Sequence, residues 1–184
     1  MRKLIMFNLV TLDGLFAGPS GEIDWHNVDD EFHQFATDQL DSADGLLFGR
    51  ITYQLMAGFW PTPDAARLAP ATAVRMNSIA KTVVSRTLTS VEWNNTRLVK
   101  ENVQEELTRL KQQPGKDLLL LGSADLASSL TDLRLIDEYR IMVNPVILGK
   151  GKPLFKSIKH RFAFKLLRTR SFSSGNVLLC YSLA

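Results

Sequence analysis

Three short segments place small or hydroxyl residues at the end of an apolar run, and two of them add an arginine. Gly49-Arg50-Ile51-Thr52 follows Gly45–Phe48, Ser85-Arg86-Thr87 follows Lys81–Val84, and Gly122-Ser123-Ala124 follows Asp117–Leu121. Where a strand hands over to a helix, unpaired backbone N–H groups point outward and the helix dipole favours an anion. Arginine adds a planar fork that can bind phosphate through two parallel hydrogen bonds. Each segment alone reads first as an ordinary helix cap. Three of them at the carboxyl ends of parallel strands mark the edge where open α/β sheets take ligands. Two arginines there suit a ligand with several phosphates.

Other chemistries have little to work with. No G-x-S-x-G elbow occurs, and His26, His33 and His160 lack the spacing of metal ligands; His33 fits a helix surface. A single cysteine, Cys180, excludes an internal disulfide, a multi-cysteine zinc site and a zinc-deaminase signature. No metal is expected. Gly149-Lys150-Gly151-Lys152-Pro153-Leu154 begins like a G-x-G-x-x-G loop, but ends on Leu154 and contains a proline, so it reads as a mobile glycine loop. The candidate acids are Asp24 and Asp30, on either side of Trp25; Asp29 and Asp30 also suit the first turn of a helix, where negative charge is favourable.

The elements that must position these residues alternate between strand and helix. Strand signals fall at Lys3–Val10, Gly45–Phe48, Lys81–Ser85, Arg97–Lys100 and Asp117–Leu121. Helical periodicity falls at Asp29–Leu40, Gly49–Met56, Ala71–Ile79, Val103–Leu110 and Ser123–Leu130. The proline-rich stretch from Pro61 to Pro70 reads as a surface loop. After Leu130 the pattern changes: Ile136–Leu148, Phe162–Phe172 and Val177–Leu183 are strand-like with no helix between them, and Ser173–Asn176 is a turn. Apolar strands bracketed by helices imply a parallel sheet covered on both faces. The expectation is an α/β fold: one domain over residues 1–184, with a mixed, mostly parallel sheet of about eight strands and a C-terminal antiparallel hairpin. Val177–Leu183 is nearly all apolar, which implies cover on both faces. No helix follows Leu130 to supply it, and Val177–Leu183 would stand as an exposed edge that invites pairing with another chain, so a homodimer through the C-terminal strands is expected.

Length and composition agree with one globular domain. The 184 residues are 45% hydrophobic and 22% charged, with 11 Gly and 7 Pro, which excludes collagen-like and low-complexity chains. Apolar runs such as Leu118–Leu121 fall far short of the roughly 20 residues that span a bilayer. Met1-Arg2-Lys3 leads straight into a strand pattern without a signal-peptide core, so a cytoplasmic location is expected. The net charge is +3, but eight Lys or Arg and no acid fall within residues 150–170. That segment reads first as a solvated strand and loop, and second as a field that attracts a phosphorylated small molecule. Interleaved Phe155, Phe162 and Phe164 are explained by strand alternation, so no nucleic-acid partner is expected.

Taken in order, Thr11–Gly14 (TLDG), Asp24-Trp25 with Asp30, Gly45–Tyr53 (GLLFGRITY), Lys81–Arg86 (KTVVSR) and Leu118–Ser123 (LLLLGS) resemble the dihydrofolate reductase superfamily. Ile136–Tyr139 (IDEY), Asn144–Gly149 (NPVILG) and Pro153–Phe155 (PLF) make the riboflavin-biosynthesis reductase domain the closer branch. The resemblance runs through essentially the whole chain. It implies the three-layer dihydrofolate reductase-like fold and NADPH as hydride donor. By matched position Gly49, Arg50, Ser85 and Arg86 would serve the adenosine 2′-phosphate region. Thr52 and the amides of Gly122, Ser123, Ala124 and Asp125 would hold the pyrophosphate. Asn8, Leu9 and Ala17 would approach the nicotinamide through backbone groups. Asp30, with Asp24 in competition, would be the acid, and Asp13, Trp25 and Phe155 would contact the substrate. The implied reaction is reduction of a phosphoribosylaminopyrimidine of riboflavin synthesis. Dihydrofolate reduction is the alternative within the class, and an NADP-binding protein without turnover is the alternative outside it. The superfamily has two glycines, often joined by a cis bond, where this chain has Gly122-Ser123. A non-proline cis bond costs about 2.5–4 kcal/mol, and the sequence leaves open whether Gly122-Ser123 keeps it.

Overall fold

The computed structural model describes all 184 residues. Ten strands and six helices follow one another as β1 Leu4–Thr11, β2 Leu15–Ala17, α1 Asp30–Asp41, β3 Ala43–Gly49, α2 Arg50–Phe59, α3 Pro63–Leu68, α4 Pro70–Ser78, β4 Ala80–Val84, β5 Thr96–Val99, α5 Val103–Gln112, β6 Asp117–Leu121, α6 Ala124–Asp132, β7 Glu138–Asn144, β8 Lys152–Pro153, β9 Phe164–Ser171 and β10 Val177–Leu183. Eight strands form one sheet in the order β5-β4-β3-β6-β1-β7-β10-β9, and β2 pairs with β8 in a small separate ribbon. The pairs from β5 through β7 are all parallel, whereas β10 runs antiparallel to both β7 and β9. This is a dihydrofolate reductase-like α/β fold.

Strand β1 shows why its sequence is apolar at almost every position. Leu4, Met6 and Val10 point into a core shared with Leu107 of α5 and Ala127 and Leu130 of α6. Ile5 joins the opposite core with Leu40 of α1, Tyr53 of α2 and Met76 of α4. A strand covered on both faces has no wet side on which to alternate. Leu119 of β6 is fully buried in the second core. Truncation to alanine there is expected to cost about 2–5 kcal/mol.

Four expectations are corrected. Pro63–Leu68 is helical: Thr62 caps it by accepting from Ala65 N–H, and Pro63 sits in the first turn, where its missing donor costs nothing. Ile136–Leu148 is a strand only over Glu138–Asn144, because Pro145 ends the ladder and the chain leaves as a loop. The last two strands do have a helix over one face, contributed from upstream: Leu178 and Cys180 are buried in a cluster with Phe7 of β1, Phe35 of α1 and Phe172. The exposed edge is β9, every residue of which is exposed, and not β10.

Candidate functional site

The carboxyl ends of β4, β3, β6 and β1 lie in a row, and the loops leaving them carry the phosphate-type motifs. Two neighbouring junctions are joined by one side chain. Ser123 Oγ accepts from Gly49 N–H (2.7 Å) and donates to Thr52 Oγ1 (2.9 Å). Both glycines are there for space. A Cβ on Gly49 would lie 2.8 Å from Ser123 Oγ, and one on Gly122 would lie 2.9 Å from Thr52 Oγ1. Gly122 and Ser123 both take left-handed backbone, φ 63° and 62°, and the bond between them is trans, as are all the others. For serine that conformation costs about 1 kcal/mol, and its two hydrogen bonds offset the cost.

Because Ser123 is engaged across the gap, it does not cap its own helix. Neither α2, starting after Gly49, nor α6, starting after Ser123, has a side-chain cap. Two helix N-termini therefore stand side by side with free first-turn amides, which suits an anion. Asp125, in the first turn of α6, opposes such an anion, but its carboxylate is matched by Lys156 at 3.1 Å. Arg50 and Arg86 are exposed and make no salt bridge; Arg50 reaches only Gln54 Oε1, at 3.3 Å. The third junction differs from the expectation: no helix follows Ser85. Its buried hydroxyl instead accepts from the N–H groups of Thr87 (3.2 Å) and Leu88 (3.1 Å), which closes a local turn beneath Arg86.

Beyond β6, Gly122 N–H donates to Phe7 O (3.3 Å), which joins the junction to β1. The next residue, Asn8, is 1% exposed, and neither amide atom of its side chain has a partner. A buried donor and acceptor left unmatched in this way call for a polar group from elsewhere. Leu9 is half-buried. Ala17 is buried in β2, and Gly151 crosses so close that a Cβ there would lie 2.3 Å from the Ala17 carbonyl oxygen.

The substrate-side residues are placed differently. Asp24 and Asp30 are exposed and make neither a hydrogen bond nor a salt bridge. Trp25 is half-buried, donates from Nε1 to Glu22 O (3.2 Å) and packs edge-on against His26. Asp13 is occupied locally: it accepts from Thr11 Oγ1 (2.5 Å), Gly149 N–H (2.8 Å) and Leu148 N–H (3.3 Å), and these bonds hold its pKa below the usual carboxylate range. It thereby ties the β1–β2 turn to the glycine loop, so that loop is anchored at its start. Phe155 is 41% exposed just after β8.

Two constellations at this end have no local signal in the sequence. Glu31 of α1 accepts from Arg170 (3.0 Å) and from the N–H and Oγ of Ser173, bonds that lower its pKa. Asn27, Asn144 and Asn176 interlock: Asn27 N–H donates to Asn144 Oδ1 (2.9 Å), and Asn176 Nδ2 donates to Asn27 O (2.7 Å). Beside them, burial pushes the His26 pKa down to about 4, and its Nε2 has no partner. Each constellation joins the segment Asn27–Glu31 to residues more than a hundred positions further along the chain.

A dihydrofolate reductase-like sheet with paired phosphate-type junctions at its carboxyl edge defines the class. The RibD C-terminal domain family matches residues 2–178, and the chain belongs to that family. It is 37% identical over 98% of its length to YyaP, an uncharacterized protein of Bacillus subtilis (strain 168), covering 94% of that protein. Among solved structures, a Shewanella sp. PV-4 protein with a provisional riboflavin-biosynthesis name superposes with a TM-score of 0.76, at 25% identity over 100% of this chain and 99% of that one. The Enterococcus faecalis dihydrofolate reductase complexed with NADP(H) superposes with a TM-score of 0.64, at 14% identity over 98% and 96%; it shares the fold. The Thermotoga maritima diaminohydroxyphosphoribosylaminopyrimidine deaminase/5-amino-6-(5-phosphoribosylamino)uracil reductase superposes with a TM-score of 0.69 at 17% identity, and this chain spans 57% of its length.

Proposed function

We propose that the protein is an NADPH-dependent reductase of a small heterocyclic substrate. The observation that carries this reading is the Gly49–Ser123–Thr52 link, which holds two uncapped helix N-termini together. The amides of Gly122 to Asp125 and the Thr52 hydroxyl would bind the pyrophosphate. Arg50 and Arg86, free of carboxylate partners, would read the 2′-phosphate. The unmatched amide of Asn8 and the backbone of Leu9 and Ala17 offer polar groups to the nicotinamide end. When bound, the cofactor supplies the hydride. This chain's own part is to position it and, through the apolar wall of Phe7, Leu9 and Leu121, to keep water away.

For the substrate, a phosphoribosylaminopyrimidine is favoured over a pterin by the basic loop. Lys150 and Lys152 flank Gly151, which packs on Ala17, so the basic loop runs beside the proposed nicotinamide end. One observation favours the reading without turnover: Asp24 and Asp30 are exposed and unpartnered, and so are not held as a catalytic acid in this state. Fluorescence titration with NADPH, followed by oxidation assays with pyrimidine and pterin substrates, separates the readings. Saturable binding with oxidation on the pyrimidine is expected. Binding without oxidation of either substrate supports the non-turnover reading, and no binding overturns the proposal.

The protein is further proposed to act as a homodimer through its C-terminal strands. Along the edge strand β9, Lys165, Arg168 and Arg170 would meet like charges in a two-fold edge pairing, which disfavours that geometry. The half-buried face carrying Leu179, Tyr181 and Leu183, continued by exposed Phe164 and Leu166, is the better contact. Sedimentation equilibrium is expected to give twice the chain mass. A species of 20.6 kDa at all concentrations would rule the dimer out.

A further inference from the structure

Three helical threonines of this protein direct their hydroxyl protons to their own backbone. Thr37, Thr108 and Thr131 donate to the carbonyls one turn back, His33 O (3.0 Å), Gln104 O (2.8 Å) and Ala127 O (2.8 Å). Thr52 of α2, 8% exposed, does not. The residue one turn before it, Phe48, belongs to strand β3 and not to a helix. The one hydrogen bond of its side chain is accepted from Ser123 Oγ, at 2.9 Å. The Thr52 proton therefore has no acceptor within the protein. A buried hydroxyl that accepts without donating calls for an acceptor from outside.

The surroundings favour an anionic acceptor. A Cβ on Gly122 would lie 2.9 Å from Thr52 Oγ1, so the hydroxyl rests against bare backbone at the start of α6, which has no side-chain cap. The donors there run head to tail. Gly49 N–H donates to Ser123 Oγ (2.7 Å), Ser123 donates to Thr52, and Thr52 is left to donate outward. Hydrogen bonds linked in this order polarise one another, which strengthens the last donor. A charged oxygen gains most from it. Ser123 holds its place in the relay at φ 62°, a left-handed backbone that glycine would adopt without strain. What serine adds there is the hydroxyl.

We propose that Ser123 is a positioning residue for the pyrophosphate: by donating to Thr52 it commits the Thr52 hydroxyl to donate in turn, toward a phosphate oxygen. The role rests on the cofactor reading above, in which Thr52 meets the pyrophosphate, and it adds a residue that acts there only through another. Without the Ser123 hydroxyl, Thr52 is free to turn its proton inward, as the other three threonines do, and Gly49 N–H loses its acceptor.

The test measures equilibrium binding of two ligands by titration calorimetry: NADP+, and adenosine 2′-monophosphate, which carries the 2′-phosphate but no pyrophosphate. Ser123→Gly keeps the left-handed backbone free of strain and removes only the hydroxymethyl group. It is expected to weaken NADP+ about five- to tenfold and to leave the monophosphate within about twofold of wild type. Thr52→Val should weaken NADP+ about ten- to thirtyfold, whereas Thr52→Ser, which keeps the hydroxyl, should retain most of the affinity. The double variant Ser123→Gly with Thr52→Val should bind no more weakly than Thr52→Val alone, because the serine acts only through the threonine. A merely structural serine would add its own loss in the double variant and would weaken both ligands. Unchanged or tighter NADP+ binding by Ser123→Gly, additive losses, or equal losses for the two ligands would each overturn the role of Ser123 and leave the cofactor reading standing. Failure of the wild-type chain to bind NADP+ would overturn both.

Discussion

The proposed cofactor edge and the proposed substrate end lie side by side on one sheet, yet they are built in opposite ways. At the cofactor edge the functional atoms sit within a few residues of strand ends, and short side chains lock neighbouring loops at van der Waals limits. At the substrate end Asp24 and Asp30 are exposed and unpartnered, while the groups that order the region, Asn27 with Asn144 and Asn176 and Glu31 with Arg170, are supplied from distant segments. The first region tolerates almost no added volume. The second is polar and held together by interlocking side chains, with its two candidate acids at the exposed rim. In the proposed reading, a rigid cradle for the cofactor beside a substrate end assembled from distant segments would let one fold keep its cofactor while its substrate varies.

Substitutions can break this contrast or sharpen it. The largest effect is expected from Gly122→Val, which forces a β-branched residue into left-handed backbone and against Thr52. Loss of roughly 3 kcal/mol of stability is expected, read from urea unfolding. A near-neutral result would show that the cradle is not tight. If substrate binding brings the exposed Asp30 into the site as the acid, Asp30→Asn should lower turnover by about a hundredfold at saturating NADPH with cofactor affinity unchanged, measured by steady-state kinetics. Unchanged turnover would pass the role to Asp24 or to the substrate itself.

Arg50→Ala tests the cofactor side alone. NADPH affinity should fall about ten- to hundredfold while NADH affinity barely moves. Equal losses would remove Arg50 from the 2′-phosphate. A smaller effect is expected from acid. The pKa of His26 is depressed from 6.5 to about 4 by burial, so the folded state prefers the neutral ring. Its contribution is complete above pH 6.5 and is lost progressively as pH falls toward 4. The loss is at most about 3 kcal/mol, and His26→Phe should flatten that part of the pH–stability curve. A wild-type curve already flat across this window would mean that the substrate end is wetter than the structure shows.

Much of the architecture is legible in the chain because its signals are local. Continuous apolar strands such as Asp117–Leu121 announce cover on both faces, and the Asp29 cap with Phe35 and Leu40 at helical spacing announces α1. The helix Pro63–Leu68 was obscured because proline reads as a breaker, although at a first turn it is compatible with helix. The edge strand was misplaced for a different reason. Strand order depends on which segments pair, and nothing in Phe164–Ser171 or Val177–Leu183 says which of the two lies inside.

The same division runs through the site. The sequence by itself determined the strand-to-helix junctions after β3 and β6 and the small residues at them, since each follows from neighbours in the chain. Only the tertiary structure decided that Ser123 leaves its own helix uncapped to join Gly49 and Thr52, that Ser85 closes a turn rather than opening a helix, and that Asp13 is occupied by the glycine loop. A hydroxyl or a carboxylate carries the same capacity in every sequence context. Which partner it satisfies depends on distances between segments far apart in the chain, and folding alone sets those distances.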